Sequence, residues 1–156
     1  MKIAVIAVGD RMPGWVKQGF LEYSKRMPNE AVVELIEVKP VKRSRGEPVE
    51  RALAMEAKRI DVHMRKFRPV VVLDERGEMW DTKKITAFLL DAMANGMHPA
   101  FVIGSADGLT GSIKNGAEFR VALSKMTLPH GLVRVILAEQ LYRGISILQH
   151  HPYHRE

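Results

Sequence analysis

The chain has 156 residues, no cysteine, 46% hydrophobic and 27% charged side chains, and a formal net charge of +6. This balance excludes a disulfide scaffold, thiolate catalysis, cysteine-ligated metal centres and intrinsic disorder. No apolar run approaches the roughly 20 residues of a membrane helix, and the excess of cations fits a polyanionic partner, either nucleic acid or an acidic membrane surface.

Ile3–Val8 is an unbroken β-prone run, the pattern of a strand buried on both faces. It stops at Gly9-Asp10, too early for the apolar core of a signal peptide, and a cytoplasmic protein is expected. Pro13 opens a helix reaching Arg26, and Pro28-Asn29 marks a turn. Ala31–Val38 reads as a strand with Val33, Leu35 and Val38 inward. Lys39–Pro48 breaks the pattern with Lys39, Lys42, Arg43 and Arg45 among two prolines and Gly46, and reads as a mobile basic loop. Val49, Leu53, Ala57, Ile60 and Met64 then recur at helical spacing, with Arg51, Lys58, Arg59 and Arg65 on the outer face.

Val70–Leu73 is another apolar strand, ending at Asp74. Asp81 or Thr82 caps a helix running to Ala94. Ala100–Ile103 is a strand ending at Gly104, Phe119–Ala122 a short strand, and Pro129 opens a long last helix. Apolar positions in that helix, Leu132 and Ile136 beside Val133, Leu137, Leu141 and Ile145, run round much of the cylinder. A surface helix shows one stripe, so this one is either central in its fold or covered by a partner chain. Strands alternating with helices predict an α/β fold, a mostly parallel sheet flanked by helices, in one domain over residues 1–156.

Open α/β sheets bind ligands beyond the carboxyl ends of their strands. Three loops occupy that place: the one after Leu73, the one opening at Gly104, and Leu123–Pro129. In Gly104-Ser105-Ala106-Asp107-Gly108, two glycines four apart permit either a tight strand-to-helix turn or close approach of a ligand. Neither a Gly-x-Gly-x-x-Gly fingerprint nor a phosphate loop is present, which argues against a nicotinamide or nucleoside-triphosphate enzyme. The end of the chain crowds His150, His151, Tyr153, His154 and Arg155 together. Pro152 splits the histidines and there is no His-Glu-x-x-His helix, so no metal is expected. The tail is then either a solvated terminus or a structured one, with Tyr153 for stacking and His154 or Arg155 for phosphate contact and proton transfer. The four cations between Lys39 and Arg45, with no acid among them, suit phosphate positioning.

Several blocks stand out together: Met12-Pro13-x-Trp15; Leu73-Asp74 with Trp80-Asp81-Thr82; Ile103-Gly104-x-x-x-Gly108-Leu109; Leu128-Pro129-His130-x-Leu132-Val133-Arg134-Val135; Ala138-Glu139-x-Leu141-Tyr142-Arg143; and the tail from His151 to Glu156. With them the chain resembles, nearly end to end, the ribosomal RNA large-subunit methyltransferase H group of the SPOUT class. The resemblance implies a trefoil-knotted homodimer that uses S-adenosylmethionine to methylate N3 of a pseudouridine in 23S rRNA of the assembled ribosome. It implies cofactor contacts from Leu73, Gly104, Gly108, Leu123, Ser124, Lys125, Met126, Thr127 and Leu128. It brings Tyr153, His154 and Arg155 to the other protomer's active site, with Arg155 stabilising charge on the base and His154 the candidate proton acceptor. Lys39, Lys42, Arg43 and Arg45 are assigned to ribosomal phosphates. The family usually carries a glycine where this chain has Ser105, which bears on the loop conformation and cofactor affinity. Two other classes stay open: a ribosome-binding factor without chemistry, and a SPOUT methyltransferase acting on transfer RNA.

Overall fold

The first strand of the computed structural model, β1 (Lys2–Val8), is apolar from Ile3 onward because both of its faces are covered there. Ile3, Val5 and Ala7 pack into one core and Ala4, Ile6 and Val8 into another, as the twofold alternation of a strand requires. The structure describes residues 1–154; Arg155 and Glu156 lie outside the described residues.

After β1 come α1 (Gly14–Ser24), β2 (Val32–Val38), α2 (Val49–Met64), β3 (Val70–Met79), α3 (Thr82–Ala94), β4 (Ala100–Ile103), α4 (Gly111–Gly116), β5 (Phe119–Ala122) and α5 (His130–Leu148). The five strands form one sheet in the order β2-β1-β4-β3-β5, and every pairing is parallel. Phe20 of α1, Ile85 and Leu89 of α3 and Leu137, Leu141 and Ile145 of α5 cover one face. Ala57, Ile60 and Met64 of α2 with Ile113 of α4 cover the other. The predicted α/β class and parallel sheet are both present. Among the described residues no helix is long and apolar enough to cross a membrane.

Several expectations change in detail. The wide apolar face of α5 has a cause within the chain, since the helix packs against both α1 and α3. On β2, Val33 and Leu35 face the α1 and α5 side, whereas Ile36 and Val38 face α2, because alternate residues of a strand point opposite ways. Strand β3 does not end at Leu73. It bulges over Asp74–Gly77 and resumes, Glu78 pairing with Val121 and Met79 with Ala122. Helix α4 escaped the sequence pattern because six residues are too few to show a helical period; Thr110 caps it, its hydroxyl accepting from the Ile113 amide at 3.3 Å. Asp81, not Thr82, caps α3, accepting from the Lys84 amide at 2.9 Å. The first half of the basic loop is anchored, since the Val41 amide and the Arg43 guanidinium both donate to Glu56, a carboxylate only 2% exposed.

Candidate active site

Because β4, β3 and β5 are neighbours and parallel, their carboxyl ends meet on one edge of the sheet. There the segments after Leu73, Ile103 and Ala122 enclose a cleft of about 670 Å³ together with the start of α5. That lies within the roughly 300–1,000 Å³ typical of small-molecule sites. Leu73, Gly104, Gly108, Leu123, Ser124, Met126, Thr127 and Leu128 all line it. Lys125, from the same predicted set, is exposed and is absent from the lining.

The wall at Gly104 is a turn whose backbone folds on itself. The Gly108 amide donates to the Ser105 carbonyl at 2.9 Å, and Gly108 has φ +84°. A Cβ on Gly104 would stand 2.8 Å from the Gly108 carbonyl oxygen, so that glycine is demanded by the turn itself. Ser105 carries no backbone strain: among the described non-glycine residues only His150 has a positive φ. Its hydroxyl instead accepts from the Arg43 guanidinium at 3.0 Å and from the Asp107 amide at 3.3 Å. The serine therefore does not distort the loop.

The cleft also holds groups to which the sequence analysis assigned no role. Asp74, in the β3 bulge, pairs with Lys114 of α4 at 3.2 Å. Burial pushes its carboxyl up, but the Arg76 amide and the Lys114 ammonium outweigh that and hold it below the ordinary value. Glu75 lines the cleft beside it. His130 stands in the first turn of α5, where burial, and then the Arg134 cation, lower its pKa and favour the neutral imidazole. Asp74 opens the first of the three predicted ligand loops and His130 sits in a motif block, but the sequence assigned neither side chain a role. Lys114 carried no signal, since α4 itself was not legible. The N-terminus of α5 also sets the positive end of a 19-residue helix dipole against the cleft.

The tail residues are elsewhere. Tyr153 folds back on α5, its hydroxyl donating to Glu139 at 3.0 Å, its ring 4.6 Å from that of Tyr142 and 5.1 Å below the Arg143 guanidinium. Burial, reinforced by the Glu139 carboxylate, pushes the phenol up to about 12, so it stays protonated and donates. This segment is docked, not frayed. Neither Tyr153 nor His154 lines the cleft of its own chain, and Arg155 lies outside the described residues. Of the phosphate set, Lys39, Lys42 and Arg45 are exposed. Arg43 is not available in the same way: its guanidinium bonds Glu56, Asp107, Ser105 and the Val41 carbonyl. That withdraws Arg43 from the predicted phosphate contacts. Among the described residues no group of His, Asp or Glu is arranged to hold a metal ion.

Comparison with known proteins agrees with this geometry. A family profile described as "Predicted SPOUT methyltransferase" matches residues 1–154. The chain is 50% identical over 155 residues to the ribosomal RNA large subunit methyltransferase H of Nitrosospira multiformis, covering 99% of each. The protein of that name from Burkholderia multivorans matches with the same identity and coverage. Among solved structures, a probable methylase family protein from Haemophilus influenzae superimposes with a TM-score of 0.61 at 12% identity, over 99% of this chain and 70% of that one. A probable methyltransferase from Bordetella pertussis gives 0.57 at 15% identity, over 92% and 93%. These two speak to the fold alone.

Proposed function

The chain belongs to the SPOUT methyltransferase family, and from that premise we propose that it methylates large-subunit ribosomal RNA with S-adenosylmethionine, at N3 of a pseudouridine on the assembled ribosome. The observation that carries this reading is the cleft where three strand ends meet, in a chain matched over its full length by ribosomal RNA methyltransferases. One SPOUT domain over residues 1–156, a C-terminal trefoil knot and a cytoplasmic location belong to the same reading.

The residues present suit the cofactor. Leu73, Ile103, Leu123 and Leu128 offer apolar walls to an adenine, the Ser124 and Thr127 hydroxyls can meet a ribose, and the α5 N-terminus favours a carboxylate. Bound there, S-adenosylmethionine would supply a methyl group already activated by its sulfonium, so the protein's task is alignment and electrostatics. The chain must also take the imide proton of the base. Two imidazoles are candidates: His154 on the tail, and His130 in the cleft wall, which burial keeps in the proton-accepting form near neutrality. Tyr153 stays protonated, so its part is to dock the tail and not to act as base. Arg155 is assigned the negative charge that develops on the flanking carbonyls.

Delivery of the tail requires a homodimer. In support, Trp15 and Leu21 of α1 and Leu90 of α3 are more than half exposed on the layer that also holds α5, an apolar surface that a second copy would cover. Lys39, Lys42 and Arg45 remain as ribosomal phosphate contacts.

The test is transfer of labelled methyl from S-adenosylmethionine to ribosomes lacking the modification, with free ribosomal RNA and transfer RNA in parallel. Label on intact ribosomes, mapped to a large-subunit pseudouridine, is the expected result. Label on transfer RNA alone would replace the substrate. No label and no cofactor binding would leave a ribosome-binding factor without chemistry.

A further inference from the structure

Arg43 shares a loop with three exposed cations but is folded inward. Nη1 donates to Glu56 Oε2 at 2.5 Å and to the Val41 carbonyl at 2.7 Å. Nη2 donates to Glu56 Oε1 at 3.3 Å and to Ser105 Oγ at 3.0 Å, and Nε to Asp107 Oδ2 at 3.1 Å. Every N–H of the guanidinium fork thus has an acceptor inside the protein. The anchor is Glu56, buried on α2 and also bonded by the Val41 amide at 2.9 Å. A buried carboxylate demands a well-placed cation, so the fork cannot easily turn away from it. Nη2 and Nε then face the turn from Ser105 to Gly108, which is the β4 side of the cleft.

We propose that Arg43 is a positioning residue of the cofactor site. It ties the Ser105–Gly108 turn to α2 and thereby sets the shape of the wall that meets the cofactor. Ser105 and Asp107 are the two handles by which it does so. A glycine at position 105 would offer no acceptor to Nη2. The inference rests on the cofactor reading given above.

Ser105→Ala and Asp107→Asn, singly and together, test it while leaving the buried Arg43–Glu56 pair intact. Arg43→Met combined with Glu56→Met is the second route, because it removes the cation without stranding a buried carboxylate. Binding of S-adenosylmethionine to the full chain is measured by calorimetry, and KM values for cofactor and for ribosomes are measured separately. The Ser105/Asp107 double variant is expected to bind cofactor about tenfold more weakly, the weight of roughly one hydrogen bond to a charged group. The KM for cofactor should rise while the KM for ribosomes holds. Adding Arg43→Met and Glu56→Met to the double variant should weaken binding little further, because the same link is already cut. Arg43→Lys should not match the wild type, since a lone ammonium cannot span both carboxylates and the hydroxyl. Unchanged cofactor affinity in every variant overturns the proposal, and so does a rise confined to the KM for ribosomes. A wild-type chain that binds no cofactor overturns the parent reading and this one together, and is distinguished from the other failures by that control alone.

Discussion

Gly104 and Gly108 bracket the same turn for different physical reasons, and substitution should separate them. A Cβ on Gly104 would stand 2.8 Å from the Gly108 oxygen, 2.9 Å from the Gly108 carbonyl carbon and 2.9 Å from Leu109 Cγ. Two of those atoms are backbone and cannot rotate aside. Gly104 is not in the left-handed region, so the whole cost of a side chain there is steric, about 1–3 kcal/mol for overpacking. Gly108 is the reverse case. Its φ is +84° and nothing lies within 4 Å of a Cβ there, so Ala would cost only left-handed strain, roughly 1–2 kcal/mol. Asn tolerates that region and should recover much of the loss at 108, but it should be no better than Ala at 104. For a chain of this size each kcal/mol shifts Tm by about 2–4 °C. Thermal unfolding and calorimetric titration with S-adenosylmethionine on Gly104→Ala, Gly104→Asn, Gly108→Ala and Gly108→Asn provide the comparison. At 104 both variants should lose stability and cofactor affinity together, because the displaced backbone is the cleft wall. The reasoning fails if Ala at 104 is harmless, or if Asn at 108 is as damaging as Ala.

Three further predictions use other parts of the molecule. Arg134 is 1% exposed and donates to the buried Gly9 carbonyl at 2.8 Å and to Glu37 at 2.7 Å. Arg134→Met leaves that carbonyl without its partner and should cost about 1–3 kcal/mol in urea unfolding; a loss well under that would mean water replaces the guanidinium. His130 has a folded pKa below its ordinary value. Below about 6.5 the unfolded chain takes up the proton while the folded one resists, so stability falls as pH drops through that window. A Tm series across it should be flatter for His130→Gln, and parallel curves would refute the assignment. Neutralising Lys39, Lys42 and Arg45 together should make ribosome binding less salt-dependent, the log–log slope shrinking by about 0.7–0.9 for each phosphate no longer neutralised. An unchanged slope would remove these three from the interface.

The strand-end loops were legible because a parallel sheet places ligands at its carboxyl edge whatever the side chains, and Leu73, Gly104, Leu123, Ser124 and residues 126–128 converge there. Strand β4 and the Ile3–Val8 run of β1 were legible because full burial erases polar alternation and leaves plain apolar runs. The second half of β3 was not, since Glu75, Arg76 and Glu78 look like loop, and the strand resumes only where Glu78 and Met79 pair with β5. The stripe on α2 was read through Leu53, which is only half-buried, and passed over Glu56, which is buried. A carboxylate in that position makes no sense until a cation from another segment is placed beside it. His130 and Asp74 sat in motif blocks, but their titration behaviour depends on burial and on neighbours such as Arg134 and Lys114.

The amino-acid order by itself determined the class of fold, most strands and helices, the three loops of the cleft and the family resemblance. All of these are encoded within short windows, as hydrophobic period, turn residues or contiguous motifs. Tertiary structure alone decided that β4 lies between β1 and β3, that α5 is flanked on both sides within one chain, and that Tyr153 docks on its own helix. It also decided which cations of the basic loop face solvent and which one is committed inside. Lys39, Lys42, Arg43 and Arg45 are alike in sequence, yet only Arg43 meets Glu56, Ser105 and Asp107, residues 13, 62 and 64 positions away. A charge is neutralised by what lies within a few ångströms in space, and that distance is fixed by the packing of α2 and β4 on the same sheet, not by any local pattern.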